Sequence, residues 1–281
     1  MVYELSDMSW VEAEEKLGST RLAVVPVGAT EQHGLHLGLG ADWIQSWAIA
    51  ERVGERIDAL VLPVMPYGVS GHHMEFPGTI SLSSATLRMV VLDILESLHR
   101  HGVDRVVFIN GHGGNLAAIT EAAREARERS GVLCAVCQWW DALKGKKALG
   151  QTLEVHAGYA ETAFTLAARP EAVKMEHASL TPPRQSGGDI RLMKTSIVGF
   201  RDGTARVALN TADLSATGSL LYADASKLPG RSEYPEITGE YAEALMEEAV
   251  KWICAFVREF EDLELPEIEV TKEAALRELR D

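Results

Sequence analysis

Apolar runs and amphipathic segments alternate through the first half of the chain. Each apolar run is continuous and predicts a strand buried on both faces, whereas the segments between them repeat apolar residues every three to four positions, as helices do. The predicted strands cover residues 22–28, 60–65, 105–110 and 132–139, and the predicted helices cover 42–57, 85–100 and 116–130. This order is typical of a parallel sheet covered on both faces. The sequence therefore predicts an α/β fold, a three-layer α/β/α sandwich with a mostly parallel central sheet.

The pattern becomes less regular in the second half of the chain. A helix is predicted to follow His156 and to end before Pro170, and an amphipathic helix over 241–260 would complete a layer. Residues 171–235 are rich in Gly, Ser, Thr and Pro, which predicts irregular excursions that shape a pocket or an oligomer contact.

Composition and charge narrow the class of protein. The chain of 281 residues carries a net charge of −14, which disfavours nucleic acid and anionic membranes as partners because their phosphates attract Lys and Arg. The N-terminus lacks a signal-peptide pattern and no apolar run approaches 18 residues, so we predict a cytoplasmic protein. No linker interrupts the pattern, and we predict a single domain over residues 1–262 with a charged C-terminal tail over 263–281.

A polar loop follows the first predicted strand and carries unusual chemistry. Glu31 and His33 alternate along it, so they point the same way if the chain is extended, and Asp42 returns at the start of the next helix. Two carboxylates and one imidazole suit a divalent cation such as zinc or manganese. The alternative is an ordinary polar turn in which Asp42 caps the helix.

A second polar loop follows the strand over 105–110 and contains His112 between glycines. The carboxyl ends of parallel strands lie at one edge of a sheet, so both loops should meet there. Glu161 is the next carboxylate along the chain, and His156 precedes it by five residues. The sequence therefore predicts that residues distant along the chain share one site.

The predicted donors exceed what one zinc ion needs. Two ions bridged by Asp42 would use all of them, lowering the pKa of a water and polarising a carbonyl. His156, outside the ligand set, could then deliver a proton to the leaving group. This combination predicts hydrolysis of a carbonyl-type bond, most simply a C–N amide. The predicted ligands are Glu31, His33, Asp42, His112 and Glu161, and the predicted catalytic residues are His156 and Glu161.

The glycines around His112 have a competing interpretation. A Gly-rich loop before a helix can bind phosphate, which would make the chain a non-catalytic protein that binds a phosphate or sugar. The loop lacks both the Gly-Lys-Ser/Thr of a P-loop and the G-x-G-x-x-G spacing, which disfavours this interpretation. His36 is either a substrate contact or a structural residue, and Trp140 is predicted to form a pocket wall.

Four motifs in order along the chain together resemble the creatininase (creatinine amidohydrolase) family. They are Glu31-Gln-His-Gly with Asp42 eleven residues after Glu31, Phe76-Pro-Gly-Thr, Asn110-Gly-His-Gly-Gly-Asn, and His156-Ala-Gly-x-x-Glu-Thr. The resemblance implies a dinuclear site holding two ions per chain, Zn²⁺ or Mn²⁺ with Fe²⁺ also compatible, and often a homohexamer. It also implies a substrate pocket, for which we predict contacts from His36, His73, Gly113, Gly114 and Trp140.

One position departs from the pattern of creatininase itself. That enzyme has a metal-binding glutamate two residues after the histidine of the Asn-Gly-His loop, where this chain has Gly114, and Glu161 is our candidate replacement. The departure favours a branch other than creatininase, acting on a cyclic amide or a formamide in a small polar substrate. Other branches trim a peptide, or open the ring of a cyclic ketone such as an inosose in inositol catabolism.

Overall fold

A computed structural model describes residues 3–143, 153–179, 181, 183–185, 187–222 and 236–266. The strands are β1 (Tyr3–Glu4), β2 (Leu22–Val27), β3 (Leu60–Val61), β4 (Arg105–Asn110), β5 (Leu133–Gln138), β6 (Leu153–His156), β7 (Ile190–Lys194), β8 (Ile197–Phe200), β9 (Gly203–Arg206) and β10 (Leu220–Tyr222). The α-helices are α1 (Trp10–Leu17), α2 (Ala41–Ile57), α3 (Ser84–Arg100), α4 (Leu116–Ser130), α5 (Tyr159–Ala168), α6 (Thr211–Leu214) and α7 (Gly239–Glu261).

The central sheet has five strands in the order β1-β3-β2-β4-β5, and every neighbouring pair is parallel. Side chains alternate between its faces, so β2 buries Val24 against one layer and Val25 against the other. The first layer contains α2, α5 and α7, and the second contains α3 and α4. The predicted three-layer α/β/α sandwich is therefore confirmed.

The second predicted strand is shorter than its apolar run suggested. Hydrogen bonding defines only Leu60–Val61 as a strand. The Leu62 amide still donates to the Val24 carbonyl, but Pro26, the next residue of β2 that faces β3, has no amide N–H to donate. The chain then rejoins the sheet edge, where the Met65 amide donates to the Pro26 carbonyl at 3.0 Å. This return brings the long loop after β3 beside the loop that follows β2.

The prediction of irregular chain over 171–235 is wrong for part of that range. Strands β7, β8 and β9 form a small antiparallel sheet, and β10 pairs antiparallel with β6. The short helix α6 follows the small sheet and packs against the turn Gly71–His73. These elements therefore bring the second half of the chain to the edge of the sheet where the polar loops lie.

Two further predictions about chain organisation have different outcomes. Residues 267–281 of the predicted charged tail lie outside the described residues, and the single domain stays a prediction. Within the described part of the chain, no helix combines the length and the hydropathy needed to span a membrane.

Candidate metal centre

The loops after β2 and β4 meet at the carboxyl edge of the sheet, as their positions in the sequence predict. Glu31 and His33 are completely buried, and Asp42 and His112 are nearly so. The backbone of Gly111 packs directly against the backbone of Asp42, and a Cβ on Gly111 would lie 2.2 Å from the Asp42 carbonyl oxygen. The contact therefore leaves no room for a side chain at position 111. The two glycine-containing loops can therefore pack directly against each other and present their polar side chains to one point.

Asp42 divides its two carboxylate oxygens between two histidines. Its Oδ1 lies 2.9 Å from His33 Nε2, and its Oδ2 lies 3.2 Å from His112 Nδ1. That same His112 nitrogen is 3.2 Å from Glu31 Oε1. Among the described residues the arrangement gives three candidate ligand sets. Two of them share Asp42, one with Glu31 and His112 and the other with His33 and Glu161, and the third combines Glu31, His33 and His156.

Backbone carbonyls determine which nitrogen each of these histidines presents. His33 Nδ1 lies 3.1 Å from the Glu31 carbonyl oxygen, and His112 Nε2 lies 2.9 Å from the Val69 carbonyl oxygen. A carbonyl can only accept, so these ring nitrogens carry the protons. The opposite nitrogen of each ring faces the carboxylates. Burial opposes the charged form of both rings, but the neighbouring carboxylates outweigh it and raise the pKa of His33 and His112 above the ordinary value, so without metal this nitrogen also carries a proton. A bound cation would take the place of that proton, which gives the usual arrangement of a metal-binding histidine.

The carboxylates themselves show why a cation fits this cluster. Glu31 Oε2 is buried with no hydrogen-bond partner among the described residues, and Glu31 Oε1 and Asp42 Oδ2 are buried beside the same His112 nitrogen without a well-aligned hydrogen bond. Burial opposes ionisation of Asp42, but His33 and His112 outweigh it and lower its pKa below the ordinary value. Unpartnered buried carboxylate oxygens are costly, and a divalent cation bound by oxygen and nitrogen ligands would satisfy them.

Glu161 approaches the cluster from the start of α5. Its Oε2 accepts a 2.5 Å hydrogen bond from the Ala157 amide and lies 4.0 Å from His33 Nε2. Ala157 adopts a positive φ of 52°, a strained conformation for a residue with a side chain. Burial raises the pKa of Glu161 to about 7, because the ionised carboxylate has too little positive charge around it. A cation bound nearby could supply that charge.

Gln45 fixes α5 relative to the helix that carries Asp42. Its side-chain amide donates to the Glu161 carbonyl at 3.0 Å and to the Thr165 hydroxyl at 2.9 Å. These bonds connect the two helices that supply the carboxylates of the second candidate ligand set.

The glycine that replaces the creatininase glutamate is tightly enclosed. A Cβ on Gly114 would lie 2.3 Å from the Val69 carbonyl oxygen and 2.4 Å from His112 Nε2. A Cβ on Gly113 would meet nothing within 4 Å. Any side chain at position 114 would therefore disturb the hydrogen bond that orients His112, and the carboxylate must come from another part of the chain.

His156 lies at the end of β6 within the cluster. Its Nε2 is 2.6 Å from the Gln32 carbonyl oxygen, and its Nδ1 is 3.8 Å from Glu31 Oε1. Its ring centroid is 4.4 Å from that of His33. The structure thus brings together Glu31, His33, Asp42, His112, His156 and Glu161, which are all the residues predicted as ligands or catalytic groups.

The predicted substrate contacts occupy varied positions. His73 is 2% exposed with its Nε2 3.3 Å from Glu31 Oε1, so it lies behind the cluster. His36 is equally buried, with its Nε2 2.9 Å from the Thr162 hydroxyl. Trp140 is half-buried with its ring edge-on to Trp139. Their roles in substrate binding stay predictions.

Sequence reasoning missed three contributors to the cluster. The Val69 carbonyl orients His112, although a backbone carbonyl carries no residue-specific signal. Gln32 and Thr211 both contact His73 Nδ1. Gln32 lies between two predicted ligands, and this position in the sequence could have indicated its role. Nothing in the sequence around Thr211 indicated a role at the site.

Comparison with known proteins agrees with the geometry. A family model described as Creatininase: Creatinine amidohydrolase matches residues 6–257. The chain is 36% identical over 201 residues to the creatinine amidohydrolase of Pseudomonas putida, an alignment that covers 64% of this chain and 76% of that protein. It is 34% identical over 197 residues to the mycofactocin precursor peptide peptidase of Mycolicibacterium smegmatis, covering 63% and 74% of the two chains.

A more distant relative and two solved structures extend the comparison. The 3-dehydro-scyllo-inosose hydrolase of Thermotoga maritima is 27% identical over 187 residues, covering 63% of this chain and 60% of that protein. A crystal structure of creatininase superposes with a TM-score of 0.75 at 30% identity, covering 92% and 98% of the chains. A manganese form of creatininase gives a TM-score of 0.75 at 28% identity, covering 94% and 100%.

Proposed function

The chain belongs to the creatininase family and is a hydrolase, and from this premise we propose that it hydrolyses a C–N amide-type bond at a site for two divalent ions. The proposed substrate is a cyclic amide or a formamide in a small polar molecule. The proposed ions are Zn²⁺ or Mn²⁺, with Fe²⁺ also compatible with the nitrogen and oxygen donors.

The division of Asp42 between two histidines carries the proposal. Each oxygen faces a different imidazole nitrogen, at 2.9 and 3.2 Å, which is the arrangement expected of a carboxylate that bridges two ions. Glu31, Asp42 and His112 would hold one ion, and His33, Asp42 and Glu161 would hold the other. When bound, such ions lower the pKa of a water and polarise a substrate carbonyl.

His156 is proposed to move the proton that hydrolysis requires. Because its Nε2–H faces the Gln32 carbonyl at 2.6 Å, the Nδ1 lone pair is directed into the cluster. Nδ1 can therefore take a proton there and deliver it to the leaving nitrogen. The Gln32 carbonyl keeps the ring in this orientation throughout.

The relatives support the choice of bond. Those named creatinine amidohydrolase and precursor peptide peptidase are both named for hydrolysis of an amide-type bond. The enclosed glycine at position 114 argues against creatinine itself, because it replaces a ligand of creatininase. The inosose hydrolase relative makes ring opening of a cyclic ketone the second candidate. A homohexamer in the cytoplasm stays a prediction that the family resemblance supports.

A substrate panel tests the proposal directly. The purified chain, loaded with zinc or manganese, would be incubated with cyclic amides, formamides, short peptides and cyclic ketones, and products followed by mass spectrometry. We expect C–N cleavage, about two ions per chain, and loss of turnover with a chelator. Turnover of cyclic ketones alone would contradict the choice of bond, and a chain that retains no metal would support a non-catalytic binding protein.

Replacing His156 by alanine should abolish turnover while the metal content stays unchanged. Loss of a proton-transfer group reduces kcat by roughly 10²–10⁴-fold, and the proposed ligands remain in place. Metal analysis and kcat would be measured on the same preparation. The matched control is His177→Ala, which removes an exposed imidazole. Simultaneous loss of metal from the His156 variant would identify His156 as a ligand instead.

A further inference from the structure

His73 has unusual surroundings for a buried histidine. Its Nδ1 lies 2.8 Å from the side-chain nitrogen of Gln32 and 2.8 Å from the Thr211 hydroxyl. Its other nitrogen, Nε2, lies 3.3 Å from Glu31 Oε1. A neutral imidazole carries one proton, so the position of that proton decides what the ring presents to Glu31.

Backbone groups fix the orientation of the Gln32 amide. Its Oε1 accepts from the Gly34 amide at 3.0 Å, and its Nε2 donates to the Gly218 carbonyl at 3.3 Å. A backbone N–H can only donate and a backbone carbonyl can only accept, so the reversed amide would lose both bonds. The side-chain nitrogen, a donor, is therefore the atom that faces His73.

The close packing of Gly218 shows how tightly this amide is held. Gly218 has a φ of +85°, and a Cβ there would lie 1.8 Å from Gln32 Oε1. Only glycine allows the backbone to approach this closely in that conformation. The segment after α6 thus encloses the side chain of Gln32.

We propose that Gln32 and Thr211 are positioning residues that hold His73 as the Nε2–H tautomer. With a donor from Gln32 on Nδ1, that nitrogen must accept, and the Thr211 hydroxyl donates to the same atom. The proton then resides on Nε2 and faces the Glu31 carboxylate. His73 is accordingly a support for Glu31, which its Nε2–H faces.

The consequence is electrostatic. An N–H beside Glu31 stabilises its negative charge, whereas a lone pair in the same place would repel it. Glu31 is completely buried, so little solvent screens this difference. The interaction also links α6, in the second half of the chain, to a proposed ligand, which gives the segment around Thr211 a role at the site.

The protonation pattern can be measured without metal. The chain would be labelled with ¹⁵N-histidine, and the His73 signals identified by their loss in His73→Gln. We expect an unprotonated Nδ1 and a protonated Nε2 in the wild-type protein, with and without zinc. A protonated Nδ1 would overturn the inference. The tautomer is measured on metal-free protein, so this result does not depend on the proposed metal site. Only the zinc measurements depend on that site, and the two proposals can therefore fail separately.

Variants test whether both donors act through the histidine. The Gln32 nitrogen can only donate, whereas the Thr211 hydroxyl can donate or accept. Thr211→Val should therefore change zinc affinity by less than about threefold, and Gln32→Met should weaken zinc binding by more than that. The double variant should lose the tautomer and bind zinc about 10–100-fold more weakly, as loss of a group behind a ligand typically does. Chelator competition measures the affinities.

Two control variants separate this effect from loss of packing. Thr211→Ser keeps the hydroxyl and should match the wild type. Thr217→Val removes a hydroxyl that bonds Thr181 and Ser215 and should also have no effect. A double variant with wild-type tautomer and zinc affinity would overturn the proposed role of Gln32 and Thr211, and so would a Thr217 variant as weak as the double variant.

Discussion

Replacing Asp42 by alanine is expected to remove both metal ions and all measurable turnover. Asp42 belongs to both of the ligand sets that we propose for the two ions, so its loss removes a donor from each ion at once. Without the ions, the water and the substrate carbonyl are not activated, and the rate should fall by at least about 10³-fold, which corresponds to roughly 4 kcal/mol of activation free energy. Metal analysis after gel filtration and kcat/KM on the same sample would measure both effects.

Single replacements of the histidines sharpen this prediction. His33 and His112 each face only one oxygen of Asp42, so alanine at either position should remove the ion on its own side and abolish turnover. The control is Asp93→Ala, which removes an exposed carboxylate from α3. An Asp42 variant that kept two ions would contradict the bridging role.

Metal-free protein offers a check that does not depend on activity. In the wild type without metal, the carboxylates of Glu31 and Asp42 are buried side by side and share one His112 nitrogen at 3.2 Å, and Glu31 Oε2 has no hydrogen-bond partner among the described residues, which costs stability. Alanine at position 42 removes one of these carboxylates. Zinc should therefore raise the melting temperature of the wild type, and it should have little effect on the Asp42 variant.

The fold and the meeting of the two polar loops could be predicted because both depend on strand direction. Parallel strands place all their carboxyl ends at one edge, so Glu31 and His112 had to lie at the same edge whatever the strand order. The pairing of β2 with β4 then brings the two loops together. The apolar runs of β2 and β4 were long enough to identify both strands. The polar motifs of the two loops and the direction of the parallel strands therefore predicted the same location for the site independently.

The small sheet of the second half of the chain could not be predicted in the same way. Strands β7, β8 and β9 have four or five residues each, and β9 is exposed along its whole length. Such strands bury too little surface to produce an apolar run or a regular alternation. Consequently, no pattern in this part of the sequence indicated that Thr211, which follows this sheet, would contact His73.

Contacts made by backbone atoms set a second limit. The Val69 carbonyl orients His112, and the Gln32 carbonyl orients His156. Every residue has a carbonyl, so only the folded chain shows which one faces a histidine. The candidate ligands could therefore be proposed from the sequence. The nitrogen that each histidine directs toward the site could not be predicted from it.

Replacing Glu161 by glutamine should remove one ion, on the His33 side, and reduce turnover by at least about 10²-fold. Glutamine keeps the length of the side chain and an oxygen that can accept from the Ala157 amide, so the local fold should persist. It lacks the charge that a divalent ion requires from this position. Metal analysis should give about one ion per chain. The control is Glu121→Gln, an exposed residue of α4.

A glutamate at position 114 should not restore the lost ion. In the variant Glu161→Gln/Gly114→Glu, the carboxylate is supplied from the position used by creatininase, but its Cβ would lie 2.3 Å from the Val69 carbonyl oxygen. His112 would lose its orientation, so we expect the remaining ion to bind more weakly as well. Recovery of two ions would show that the loop can move to accept the creatininase arrangement.

Two ions in the single variant Glu161→Gln would contradict the ligand role of Glu161 and make it a base instead. The second ion would then depend on His156, whose Nδ1 lies 3.8 Å from Glu31 Oε1.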